Sequence, residues 1–79
     1  MYIIQDSVIY PREPNKIYTS FFKGVTAFAV EFTTRASEAK IFRTKKEALK
    51  IVSNLGNRSN RKLTVISALS IADSTLKVN

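Results

Sequence analysis

Thr44-Lys45-Lys46-Glu47-Ala48-Leu49-Lys50-Ile51-Val52-Ser53-Asn54-Leu55-Gly56 is the stretch on which the fold turns. Thr44 followed three residues later by Glu47 forms a capping box. The hydroxyl can accept from the third amide of a helix while the carboxylate reaches back to the cap's own amide. Ala48, Ile51, Val52 and Leu55 then recur at i, i+3, i+4 and i+7, which is one face of a 3.6-residue period. Gly56 falls where helices commonly end on a residue free to take positive φ. Start, face and stop agree on a helix over residues 45–55, about 16 Å long. Its apolar stripe needs a surface to cover.

That surface is read from the flanks. Residues 1–10 are rich in β-formers (Ile3, Ile4, Val8, Ile9, Tyr10), interrupted by Gln5-Asp6-Ser7. Pro11 ends the stretch because it has no N–H for a ladder. Residues 11–16 form a polar loop. Residues 17–22 and 25–33 read as a hairpin around Lys23-Gly24, with Phe22 facing Val25, Thr19 facing Phe28 and Ile17 facing Val30. In that register Ile17, Thr19, Phe21, Phe28, Val30 and Phe32 form the core face. Tyr18, Ser20, Phe22, Val25, Ala27, Ala29 and Glu31 lie on the opposite face. A longer loop with Gly24 at positive φ is the alternative. Residues 34–42 read as one helical turn and a short extended piece ending at Phe42. Residues 56–62 are a basic loop and residues 63–72 a strand, with Leu63, Val65, Leu69 and Ile71 on one face and Ile66 and Ala68 on the other. Residues 73–79 read as a frayed tail or a short edge strand through Leu76 and Val78. The sum is an α+β fold: a single domain over residues 1–79, with the order β-ββ-α-β and one helix packed on one face of a small antiparallel sheet.

Composition excludes several kinds of chemistry. The 79 residues hold no Cys and no His. Disulfides, thiolate nucleophiles, imidazole bases and zinc sites of Cys or His are therefore out. The carboxylates Asp6, Glu13, Glu31, Glu38, Glu47 and Asp73 show no spacing that pairs them for acid–base work. The two glycines, at 24 and 56, cannot build a phosphate loop. The expectation is a protein that is not an enzyme and uses no cofactor. No apolar run reaches the roughly 18 residues a membrane helix needs, and the first residues do not resemble a secretory signal, so the expectation is intracellular and without membrane. So short a chain buries only about 60% of its unfolded surface. A homodimer is a common remedy for a core of that size.

Thirteen Lys and Arg against six Asp and Glu leave a formal charge of +7. Arg43, Lys45, Lys46 and Lys50 crowd the start of the helix, where cations oppose the macrodipole. Placement against a local rule points to a functional demand; a solvated face with Glu47 and Lys50 paired is the plain alternative. Arg58, Arg61 and Lys62 follow the helix end, where charge and dipole agree, and their loop also suits phosphate oxygens. Tyr18 and Phe22 fall on the face left open by the helix. There they could stack bases or centre a protein interface.

Residues 33–48, Thr-Thr-Arg-Ala-Ser-Glu-Ala-Lys-Ile-Phe-Arg-Thr-Lys-Lys-Glu-Ala, resemble a pattern recurrent in small phage-encoded accessory proteins of unassigned function. The likeness implies a protein acting in the cytoplasm of a bacterial host cell, one that binds and modulates a host protein or nucleoprotein complex. It carries over no site residue. Direct DNA or RNA binding through the basic clusters is the alternative that composition supports.

Overall fold

The computed structural model describes residues 1–57 and 60–68. Four strands form one antiparallel sheet: β1 (Tyr2–Val8), β2 (Tyr18–Val25), β3 (Val30–Thr33) and β4 (Arg61–Ser67), in the spatial order β3-β2-β1-β4. The helix α1 (Lys45–Leu55) and a 3-10 turn (Ala36–Glu38) join β3 to β4. The first three strands form a meander, and the fourth returns by the long helical connection to lie beside the first, as in a Greek key. The chain is thus a small α+β domain, with order and helix placement as its sequence predicts.

The helix begins where the capping residues place it. The Thr44 hydroxyl accepts from the Glu47 amide at 3.2 Å. At the other end the Gly56 amide donates to the Val52 carbonyl, and Gly56 takes a φ of +73°. Ala48 is buried, and Ile51, Val52 and Leu55 pack with it against Ile4, Phe22, Phe42 and Leu63. The predicted apolar stripe is therefore the packed one. The helix lies mainly over β4 and β1, which leaves the β2–β3 side of the same sheet face free of it.

The hairpin differs from its predicted register. Lys23-Gly24 does not turn the chain; it belongs to β2 and holds a bulge, with Phe22 opposite Phe32 and Gly24 opposite Glu31. The turn comes later, at residues 26–29. The Thr26 hydroxyl accepts from the amides of Phe28 and Ala29, and the Thr26 amide donates to the Ala29 carbonyl. The shift overturns the predicted core face. Phe22 and Phe32 point to the helix side, Phe21 points to the other, and Phe28 stands 98% exposed at the tip. Phe22, expected at an open interface, is 1% exposed in the core. It lies between Phe32, edge-on at 6.1 Å, and Phe42, stacked at the same distance.

The face away from the helix is not bare either. Ile3 and Phe21 are buried there under Ala39, with Ala36, Ile66 and Ala68 packed alongside. The connection crosses the sheet to do this. Pairing of β1 with β2 runs only from Val8 opposite Tyr18 to Gln5 opposite Phe21, and beyond that the strands part. Residues 40–42 fill the gap: the Lys40 amide donates to the Phe22 carbonyl, and Phe42 exchanges both backbone hydrogen bonds with Tyr2. Ala39 thus sits on one face and Phe42 on the other. The motive for a homodimer on the face bearing Tyr18 and Phe22 is correspondingly reduced, since the helix occupies part of that face. β4 begins at Arg61, so Arg61 and Lys62 belong to a strand rather than to the predicted loop. The predicted strand residues 69–72, the tail 73–79 and Arg58 lie outside the described residues. Among the described residues no helix is long and apolar enough to cross a membrane.

Candidate functional site

The sheet register brings together residues that sequence separates widely. Tyr18, Val8 and Arg61 lie side by side across β2, β1 and β4, and the next row on that face is Ser20, Asp6 and Leu63. These rows occupy the helix side of the sheet. Leu63 completes the core, whereas Asp6 places a carboxylate, with the Ser20 hydroxyl beside it, at the border of that apolar layer. Asp6 is 1% exposed. An isolated buried charge is costly, so it demands a partner.

That partner is Arg61. Its Nε lies 3.0 Å from Asp6 Oδ1. The contact is a close ion pair but not an aligned hydrogen bond, because Oδ1 has no hydrogen-bond donor. Ser20 donates to Oδ2 across a long 3.4 Å. The Arg61 side chain reaches across the sheet and sets its guanidinium 5.0 Å from the centre of the Phe32 ring, within the range of a cation–π contact. It remains 38% exposed. Its Nε edge faces a buried carboxylate and its Cζ lies over an aromatic ring, while the side chain as a whole keeps part of its surface in solvent.

Aromatic rings stand next to it. Tyr10 and Tyr18 meet edge to face with centroids 5.4 Å apart, and both are exposed. The Tyr18 hydroxyl donates to the Glu13 carboxylate. That hydrogen bond, helped by slight desolvation and by Tyr10, raises the Tyr18 pKa above its ordinary value. Two open hollows share the Arg61 end of the sheet. One of about 190 Å³ is lined by Val8, Tyr10, Asn60 and Arg61. The other, about 500 Å³, lies among Ser7, Ile9, Ile17, Asn57, Asn60, Arg61 and Lys62. Asn57 and Asn60 are each held by a hydrogen bond. The Ile9 amide donates to the Asn60 carbonyl at 2.9 Å, and the Asn57 side chain accepts from the Leu63 amide at 2.8 Å.

The predicted cations therefore divide. Arg61 and Lys62 stand near Tyr18 at one end of the sheet, with Lys62 on the opposite face, in register with Ser7. Arg43, Lys45, Lys46 and Lys50 are exposed around the helix start, the end where Phe42 meets Tyr2. Among the described residues, Arg43, Lys45, Lys46, Lys50 and Lys62 form no ion pair. Asp6, Tyr10 and Phe32 are not candidate site residues in the sequence reading, whereas Asn60 belongs to the loop read there as suited to phosphate oxygens. The available signal was Asp6 itself, a charge amid β-formers that breaks the strand's apolar pattern. A comparison with protein-family models, curated proteins and solved structures finds no match.

Proposed function

We propose that this chain is a non-catalytic binding protein whose Arg61 end takes single-stranded nucleic acid. The observation that carries the reading is the meeting of an exposed tyrosine pair with a fixed guanidinium on one open part of the sheet. Aromatic rings offer stacking surfaces to unpaired bases, and cations beside them follow the phosphate chain. The net charge of +7 supplies long-range attraction for any polyanion. The test is fluorescence anisotropy with labelled oligo(dT), oligo(U) and a duplex of equal length, over a series of salt concentrations. Single strands should bind better than the duplex, and affinity should fall linearly as salt rises on logarithmic axes. Tyr10→Ala should cost about 1–3 kcal/mol of binding if a base stacks there. Absence of salt-dependent binding to either oligonucleotide would defeat the reading.

A second reading has its own observation. An accessory protein that docks on a host protein, as the likeness of residues 33–48 implies, is supported by the β2–β3 tip. Phe28 is held in solvent there by a turn ordered through Thr26. A rigid exposed aromatic is the usual anchor of a protein interface. Nuclease-resistant capture of one host protein, lost in Phe28→Ser, would favour this reading over nucleic-acid binding.

A further inference from the structure

We infer that Arg61 is a pre-oriented phosphate fork and that Asp6 is the residue that positions it, an inference that rests on the nucleic-acid reading above and gives it an atomic contact. The starting point is what Asp6 is doing in the sheet. A carboxylate 1% exposed on a central strand contributes nothing to apolar packing. Had the fold needed only a filled layer, an apolar side chain would serve at least as well. What Asp6 supplies is a fixed negative charge beneath one edge of the guanidinium, 3.0 Å from Nε. Phe32 supplies the second constraint, a ring 5.0 Å from the guanidinium carbon. An arginine so held surrenders its rotamer freedom at folding rather than at binding. Its two terminal nitrogens are the part of the fork that Nε does not use. Two parallel N–H donors match two phosphate oxygens, a geometry a lysine cannot offer. Asn60 and Tyr10 line the adjoining hollow with Arg61 and can add polar contacts to the same group. The ligand is a phosphate carrying a base or sugar: a phosphodiester in a strand, or the terminal phosphate of a nucleotide.

The inference makes a prediction opposite in sign to that of charge alone. Removing Asp6's charge raises the net positive charge by one, so simple attraction makes Asp6→Asn bind a polyanion more tightly. Positioning makes it bind more weakly. The experiment measures oligo(dT), uridine monophosphate and inorganic pyrophosphate binding to wild type, Asp6→Asn and Arg61→Lys. The Arg61 Nε–Hε resonance is followed by NMR in wild type and Asp6→Asn. Arg61→Lys keeps the charge opposite Asp6 and so keeps the fold if Asp6→Asn does not. The expected result is that each probe shifts the Nε–Hε signal of wild type. Each variant should lose about tenfold in oligo(dT) affinity, while its salt slope stays near that of wild type because each keeps the cation at position 61 and loses only its oriented donors. Binding of oligo(dT) with an unmoved Nε–Hε signal, or equal or tighter binding by Asp6→Asn together with undiminished binding by Arg61→Lys, would overturn the inference while leaving nucleic-acid binding intact. A response to pyrophosphate and nucleotide without oligo(dT) binding would keep the fork and defeat the strand reading. No response to any probe would overturn both.

Discussion

The two cationic ends of this small domain are made differently. At the helix start, Arg43, Lys45, Lys46 and Lys50 stand in solvent. Their charges raise the potential around the molecule, but among the described residues none of them has an ion-pair partner to hold it at a fixed point. At the β4 start, Arg61 is held between a buried carboxylate and an aromatic ring. The first arrangement attracts any anion and discriminates little. The second can present donors in a set direction, and its side chain is already part of the packed structure. Charge counting treats the two ends alike, although only one of them is coupled to the core. The coupling has a cost as well, since a change at Arg61 should lower stability more than a change at Lys45.

The largest expected effect tests that coupling. Arg61→Ala leaves Asp6 buried without its partner and should destabilise the fold by about 2–3 kcal/mol. That lies below the full cost of breaking a buried pair because the guanidinium is partly solvated. Chemical denaturation measures it, and an unchanged midpoint would dissolve the contrast between the ends. Next comes the helix that separates them. Thr44→Ala removes the hydroxyl that accepts from Glu47 and should cost about 1 kcal/mol by the same measurement.

At the helix start, Lys45→Ala combined with Lys46→Ala should change stability by at most about 0.5 kcal/mol, and toward greater stability, because it removes charges that oppose the dipole. A loss of 1 kcal/mol or more would mean that these lysines are as embedded as Arg61. The smallest effect is at Tyr18. Its hydrogen bond to Glu13 raises the phenol pKa. A group whose folded pKa is raised contributes stability that is complete below its unfolded value, about 10. That contribution is lost as pH rises through the higher folded value. Phenolate absorbance against pH should therefore show one tyrosine titrating late, and Tyr18→Phe should remove that step.

The helix was legible because every signal for it is local. Thr44, Glu47, the apolar period and Gly56 lie within one short window, and each agrees with the rest. The hairpin was misplaced because Gly24 carries two meanings. The same freedom that suits glycine to a turn suits it to a bulge. The competing signal was Thr26, whose hydroxyl could order a turn at residues 26–29. A shift of that kind exchanges faces, which is how Phe28 went from expected core to solvent and Phe22 from expected interface to core. The ion pair was beyond reach for another reason. Asp6 and Arg61 meet only because β1 pairs with β4, and no spacing along the chain announces a partner so far away. Half of the candidate site was visible as residue types in Arg61, Lys62 and Tyr18. Their arrangement was not, since it depends on the register of three strands.

Strand β1 is made first on the ribosome, yet its pairing with β4 must wait for a segment roughly fifty residues further on. At about 5–20 residues per second, that is a delay of several seconds. During it, one edge of a strand containing Ile3 and Ile4 has open backbone groups, the arrangement that invites pairing between nascent chains. Asp6 sits in the middle of that edge. Until Arg61 arrives its carboxylate is uncompensated, and stacking a second copy alongside would place like charges together. The most deeply enclosed acid among the described residues of the finished sheet would thus, before Arg61 is made, disfavour pairing of two nascent copies that set their Asp6 residues side by side.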